Sequence, residues 1–217
     1  VDGIIFPGKV HGHYMQGWFP DKFLYRADRD SYDYVYSVDD LADLKGRKFQ
    51  KKRNHVNRFR AEHSQFELQN LTDGNFSAAQ RMVGEWYRAR MQADPTGDYM
   101  MESIAMSRAF RHYEGLQMES AVLVENGEIL AVTMGSRLWS DTFDIHFEKA
   151  REDVDGAYAA VNCEFARYLR LKYPNLRYLN REDDVGLAGL RKAKLSYNPH
   201  HMVEKSWAYL AEDFHGD

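Results

Sequence analysis

Cysteine is almost absent. One residue, Cys163, occurs among 217, which excludes an internal disulfide and any cysteine-based metal cluster and suits a reducing, cytoplasmic setting. Proline is scarce too, with five residues, so long helices and strands have few obligatory breaks. No run approaches the roughly 18 uncharged apolar residues of a membrane span. The opening VDGIIFPGK has no basic stretch ahead of a long apolar one, so it does not read as a signal peptide. No repeat or low-complexity segment stands out. What is present is an ordinary globular composition, 44% hydrophobic and 29% charged, with 14 Tyr, 12 Phe and a net charge of −4. That length supports one large domain or two small ones with a sizeable core.

The charge is unevenly spread. Residues 45–60, KGRKFQKKRNHVNRFR, hold eight cations and no acid. Phe49, Val56 and Phe59 fit one narrow helical face within that run. Lys48, Lys51, Lys52, Arg53 and Arg58 are therefore candidate anion-binding residues. Nucleic acid, a phosphate-bearing donor or an anionic membrane surface would suit them. The bland alternative is a solvated basic face.

Before this run, Gly- and aromatic-rich sequence to Tyr36 predicts short strands and loops, and Ser37 with Asp40 predicts a helix start. A short strand around Phe66 and Leu68 follows, then a turn at Thr72-Asp-Gly. Amphipathic helices are expected over 76–92 and 98–114, separated by Asp94-Pro95-Thr-Gly97. The pattern then alternates. Strands 118–125 and 128–139 flank Asn126-Gly127, a strong hairpin turn signal, and a third strand runs from Thr142 to Ala150. A helix from Ala157 to Lys172, a short strand at 176–180, a helix capped by Asp184 and a last strand from His201 to Leu210 complete the order. From residue 65 this is strand, helix, helix, three antiparallel strands, helix, strand, helix, strand. It predicts an α/β fold whose mixed sheet carries helices on both faces, the element order of the GNAT acyltransferases.

Local sequences are more specific than this order. Asp33-Tyr34-Val-Tyr36-Ser, the basic run, HFEKA at 146–150, Gly156-Ala-Tyr158 with Asn162-Cys-Glu164, and above all NREDDVGLAGLRKAKLSYNP at 180–199 resemble one family. It comprises uncharacterised bacterial proteins similar to the C-terminal domain of phosphatidylglycerol lysyltransferase, related to GNAT enzymes and to peptidoglycan aminoacyltransferases. The resemblance runs from about Asp28 to Tyr209. Such proteins carry two GNAT-like halves, and only the end of a first half fits before residue 65. The expected division is thus a partial N-terminal region with the basic helix, 1–64, and a C-terminal GNAT-like domain, 65–217. The chain starts at Val1 and reads as a piece of a longer protein.

The resemblance implies acyl or aminoacyl transfer, from an acyl-CoA or an aminoacyl-tRNA to an amine or hydroxyl, by direct attack and without a tightly bound cofactor or a metal. Such chemistry needs a proton acceptor, a phosphate cradle and a leaving-group acid. Alternation along 142–150 is expected to place Asp144, His146 and Glu148 on one face, with Glu148 or His146 as base. Tyr197 is the expected acid. Lys149, Gly156, Ala157, Tyr158, Asn180, Arg181, Arg191 and Lys194 are the candidate donor-binding residues. Gly156 opens a helix whose N-terminus favours anions, yet the loop before it carries Glu152, Asp153 and Asp155, which would repel a pyrophosphate. Asn162 is expected to be a buried structural polar group and Cys163 a packed one. His11 and His13 stand too isolated for a metal site. The reading from a different class is a non-catalytic module of the same fold that binds an anion or nucleic acid.

Overall fold

The computed structural model describes residues 4–7, 17–19, 21–95, 97 and 99–211, with backbone alone for 4–7. They belong to two compact units, one of residues 1–36 with 180–217, the other of residues 37–179. The first unit joins the two ends of the chain. The expected division at 64/65 is one of descent, which compactness does not address.

In the first unit, strands β1 (Ile4–Pro7) and β2 (Phe23–Ala27) flank the late strand β10 (Lys205–Leu210), in the order β1–β10–β2 and antiparallel throughout. Strand β3 (Asp33–Ser37) pairs antiparallel with β9 (His201–Val203). The expected single strand 201–210 is therefore two, broken at Glu204, and each half serves a different partner. Tyr34, Val35 and Tyr36 are buried, because consecutive apolar and aromatic residues suit a strand covered on both faces. A helix of eight residues, Ala188–Leu195, follows the loop after residue 180.

The second unit begins as the sequence predicts. Ser37 Oγ accepts from the Asp40 N–H and starts helix α1 (Val38–Asp43), which closes on Leu44 in the left-handed region at φ 49°. Helix α2 (Gln50–Glu62) carries the basic run, and Val56 and Phe59 are its buried residues. Strand β4 (Glu67–Asn70), helix α3 (Asp73–Ala93) and helix α4 (Tyr99–His112) follow. Helix α3 starts three residues before the sequence estimate, because the Asn75 side chain accepts from the Thr72 N–H at 2.9 Å and turns the expected loop into a helix cap.

Strands β5 (Glu119–Glu125), β6 (Glu128–Arg137) and β7 (Thr142–Ala150) form the antiparallel meander, and helix α5 (Ala157–Lys172) leads to β8 (Tyr178–Asn180). The β5–β6 turn places Asn126 and Gly127 at φ 51° and 82°, the conformation their pairing predicts. The sheet order is β4–β5–β6–β7–β8. Helices lie on both faces: Met82, Val83, Tyr87, Met106 and Phe110 of α3 and α4 pack with Val122, Val132 and Met134. Phe59 of α2 and Ala157, Ala160 and Val161 of α5 pack with Leu123, Ala131 and Ala150. This is the mixed α/β sheet with helices on both faces that the element order implies.

One irregularity shapes everything that follows. Met134 pairs with Phe147 but Gly135 pairs with Ile145, so His146 is an extra residue in β7. Gly135 accommodates the bulge: a Cβ there would lie 2.2 Å from the Asp144 carbonyl oxygen and 2.5 Å from the Phe143 ring. Gly135→Ala is expected to cost about 2 kcal/mol, since backbone rather than a flexible side chain must give way. A urea midpoint unchanged in this variant would refute the close packing.

Candidate functional site

The bulge decides which polar groups of β7 share a face. Ahead of it, Asp144 pairs with Ser136, and His146 Nε2 lies 2.9 Å from Ser136 Oγ, with His146 Nδ1 3.9 Å from Asp144. Beyond it, Glu148 pairs with Thr133 and meets Asn162 of α5, whose Nδ2 donates to Oε2 at 3.4 Å. The expected common wall of Asp144, His146 and Glu148 is thus corrected. The extra residue turns Glu148 through the sheet to the α5 face, while Asp144 and His146 stay on the α3–α4 face. Thr133 beside Glu148 is fully buried, and its hydroxyl makes no hydrogen bond. Asn162 is buried, as expected of a structural polar group.

Lys149 goes the other way. It is 8% exposed, with Nζ 2.7 Å from Glu102 Oε1, 4.3 Å from the Trp86 ring centroid and 5.4 Å from that of Tyr87. Its ammonium is committed to α3 and α4, so it is not presented to a donor. Burial, followed by the Glu102 charge and hydrogen bond, pushes the Tyr87 hydroxyl far above the usual phenol range. Tyr158 is pushed up to about 12 by burial of its hydroxyl, which outweighs the lowering effect of a backbone hydrogen bond from Ala150.

Helix α5 starts at Gly156 with φ 81° and no side-chain cap. A Cβ on Gly156 would lie 2.9 Å from the His55 carbonyl oxygen and 3.1 Å from Phe59 Cβ, so glycine lets α2 pack against this helix start. The Ala157 N–H donates to Val154 at 3.2 Å. The acids of the preceding loop are individually neutralised: Arg151 pairs with Asp153 at 2.6 Å, Arg90 of α3 with Glu152, and Arg58 of α2 with Asp155. Hydrogen bonding to Arg151 holds the Asp153 carboxyl below its ordinary range. The loop that looks acidic in one dimension is therefore balanced by three arginines, two of them remote in sequence. A cleft of about 580 Å³ opens beside it, between Arg81, Glu85 and Trp86 of α3, Glu128 and Arg151.

The basic run is largely spent within the fold. Lys48 pairs with Asp40 at 2.8 Å, and Arg53 donates to the Leu44 and Gly46 carbonyls at 2.5 and 3.0 Å, tying down the left-handed end of α1. Arg58 is the partner of Asp155 and Arg60 that of Glu164. Lys51 and Lys52 lie on the same helix, Lys51 exposed and Lys52 half-buried. Cys163 is buried with its thiol raised by desolvation, as expected for a packed residue.

In the first unit the candidates cluster around a feature the sequence did not reveal. Asp184 is 0% exposed and does not cap the helix, which starts at Ala188 with Leu187 before it. Its carboxylate accepts from Arg191 Nε and NH2 at 2.9 and 2.8 Å, Tyr34 Oη at 2.5 Å, Arg29 at 3.4 Å and the Gly186 N–H at 3.0 Å. Hydrogen bonds led by Arg191 outweigh burial and hold this carboxyl far below the usual range. Arg191 also pairs with Asp30 at 2.6 Å, so its guanidinium serves the fold first. Lys194 Nζ donates to the carbonyls of Arg181 and Glu182, and Tyr36 Oη donates to the Lys194 carbonyl at 2.9 Å. Arg181 lies over Tyr36 and Tyr197, 5.8 and 5.2 Å from their centroids. Tyr197 is buried. Asn180 is buried, donates to Asp33 at 3.1 Å and accepts from the Glu182 N–H at 2.9 Å. The structure thus brings Tyr197, Arg181 and Lys194 together, with Asn180 and Arg191 bracing the loop between them. His11 and His13 lie outside the described residues. No described helix is long and apolar enough to cross a membrane.

Tyr34, Arg29, Trp86 and Glu102 escaped the sequence reading because each acts through a partner more than 15 residues away or on another element. The only local hint was Tyr34 within the family-like stretch.

A solved structure of a conserved protein of unknown function from Bacteroides thetaiotaomicron is 37% identical, with a TM-score of 0.87 over 96% of this chain and 69% of that one. L-PGS from Bacillus licheniformis shares the fold at 15% identity, with a TM-score of 0.68 over 98% of this chain and 69% of that one. An uncharacterized protein of Mycoplasmoides gallisepticum is 23% identical over 81% of this chain, which spans 55% of that relative's length. The model of the phosphatidylglycerol lysyltransferase C-terminal family matches residues 11–209, and the chain belongs to that family.

Proposed function

We propose that the chain transfers an acyl or aminoacyl group from a phosphate-bearing donor, an acyl-CoA or an aminoacyl-tRNA, to an amine or hydroxyl by direct attack. The observation that carries this is the pairing of Glu152, Asp153 and Asp155 with Arg90, Arg151 and Arg58. It removes the charge barrier that the bare sequence sets against a phosphate at the start of α5, where the helix dipole favours an anion and no side chain caps the helix. Glu148, at the end of the bulged strand and steadied by Asn162, is the group proposed to accept the proton. As the acceptor's lone pair bonds to the carbonyl carbon, its proton passes to Glu148. The bond to the donor's sulfur or ribose oxygen then breaks, and the proton held by Glu148 passes to that leaving atom, so the carboxylate is restored.

The test is binding of acetyl-CoA, coenzyme A, aminoacyl-tRNA and uncharged tRNA by thermal shift, followed by product formation with the donor that binds. Glu148→Gln is expected to bind that donor as before while product falls at least about 100-fold. Failure of all four ligands to bind would sink the proposal. Binding without product in the unmutated chain would favour the non-catalytic module instead.

A further inference from the structure

The start of β9 holds a side-chain pair that the proposed chemistry does not use. His200 and His201 are consecutive, yet their rings meet: Nδ1 lies 2.9 Å from Nδ1, with centroids 5.2 Å apart and planes at 82°. Neighbours within a regular strand point to opposite faces. Here the chain enters β9 from Asn198, in the left-handed region at φ 51°, and His200 stands just before the strand begins. Strand alternation therefore does not separate the two rings. Both backbones are anchored to one buried residue of β3. The His200 N–H donates to the Val35 carbonyl at 2.8 Å, and His201 stands in register with Val35. Both histidines are exposed, so an ion in solution reaches them.

Two imidazole nitrogens held on an anchored backbone form a ready chelate. In the contact as it stands, one Nδ1 carries the hydrogen that the other accepts. A metal ion takes the place of that hydrogen and receives a lone pair from each neutral ring. The separation selects the ion. With metal–nitrogen bonds of about 2.05 Å, adjacent corners of a square lie about 2.9 Å apart, whereas tetrahedral corners lie about 3.35 Å apart. Square-planar or tetragonal nitrogen sites suit copper(II) and nickel(II), and copper(II) stands above nickel(II) and zinc(II) in intrinsic affinity. We propose that His200 and His201 bind a divalent ion of square-planar preference, copper(II) ahead of nickel(II), through their Nδ1 atoms, with water at the remaining corners. The inference is independent of the transfer reaction, to which neither histidine is assigned.

Titration of the untagged 217-residue chain with Cu2+, followed by electron paramagnetic resonance, tests it. One equivalent is expected to bind, with splitting from two imidazole nitrogens, and an equal concentration of Zn2+ is expected not to displace it. Replacing both rings (His200→Asn, His201→Asn) is expected to weaken copper binding at least about tenfold. Thermal unfolding of the metal-free chain should stay unchanged, since both residues are exposed. His11→Asn with His13→Asn controls for the other close pair of histidines in the sequence and should retain the signal. A second readout needs no variant: Cu2+ should broaden the imidazole NMR signals of His200 and His201 before those of any other histidine. Undiminished binding in the His200/His201 variant, loss of binding in the His11/His13 variant, or zinc held as tightly as copper overturns the proposal. Earlier broadening of another histidine overturns it equally.

Discussion

Asp184→Ala is expected to destabilise the chain by about 3 kcal/mol. The carboxylate is fully buried and receives five donors: two from Arg191 and one each from Tyr34, Arg29 and Gly186. Its removal takes from Arg29, Arg191 and the Tyr34 hydroxyl the acceptor they share. The two guanidinia are 40% and 32% exposed, so water relieves part of the loss, and the lower end of the range for broken buried pairs applies. Asp184→Asn keeps the volume and still loses the charge.

The pH dependence has a definite sign. The folded-state carboxyl is held far below its ordinary value. Its contribution is therefore complete above the unfolded carboxylate value near 4 and declines as pH falls below it toward the folded one. Urea unfolding between about pH 5 and pH 2 should show a smaller loss of stability on acidification in Asp184→Asn than in the unmutated chain. Equal pH slopes would remove Asp184 from the centre of this network.

Glu102→Ala and Lys149→Met are expected to differ sharply although they break the same ion pair. Lys149 is buried beneath Trp86 and Tyr87, whereas Glu102 is 38% exposed. Deleting the carboxylate strands an ammonium among aromatic rings, at a cost of about 3 kcal/mol. Deleting the ammonium leaves a carboxylate that water can reach, and methionine fills the same channel, so Lys149→Met should lie within about 1 kcal/mol of the unmutated chain. Urea midpoints of the two variants decide it. The reverse order would mean that Lys149, not Glu102, is the solvated partner.

These two networks mark the limit of what residue patterns convey. The Ser37 cap, the Asn126-Gly127 turn and the presence of helices α3 to α5 were legible, because each depends on neighbours within a few positions. Asp184 reads locally as a cap. Only the fold brings Tyr34 and Arg29, about 150 residues earlier, onto its oxygens. The loop acids read as repulsive because Arg58 and Arg90 belong to other helices. Strict alternation in β7 failed at one residue, His146, since a bulge is set by the partner strand and by Gly135. The basic run was seen, but not that its charges would be answered from Asp40, Asp155 and Glu164.

The order β1–β10–β2 has a consequence for how the protein is made. A strand that lies between two others is the last of the three to leave the ribosome. Residue 27 ends β2 and residue 205 begins β10, so about 180 residues must be translated in between, roughly 10 to 40 s at ordinary elongation rates. Through that interval β1 and β2 have unfilled edges in the nascent chain, open to wrong pairing. A premature stop before residue 205 would leave those edges open for good and mark the product for chaperones or proteases.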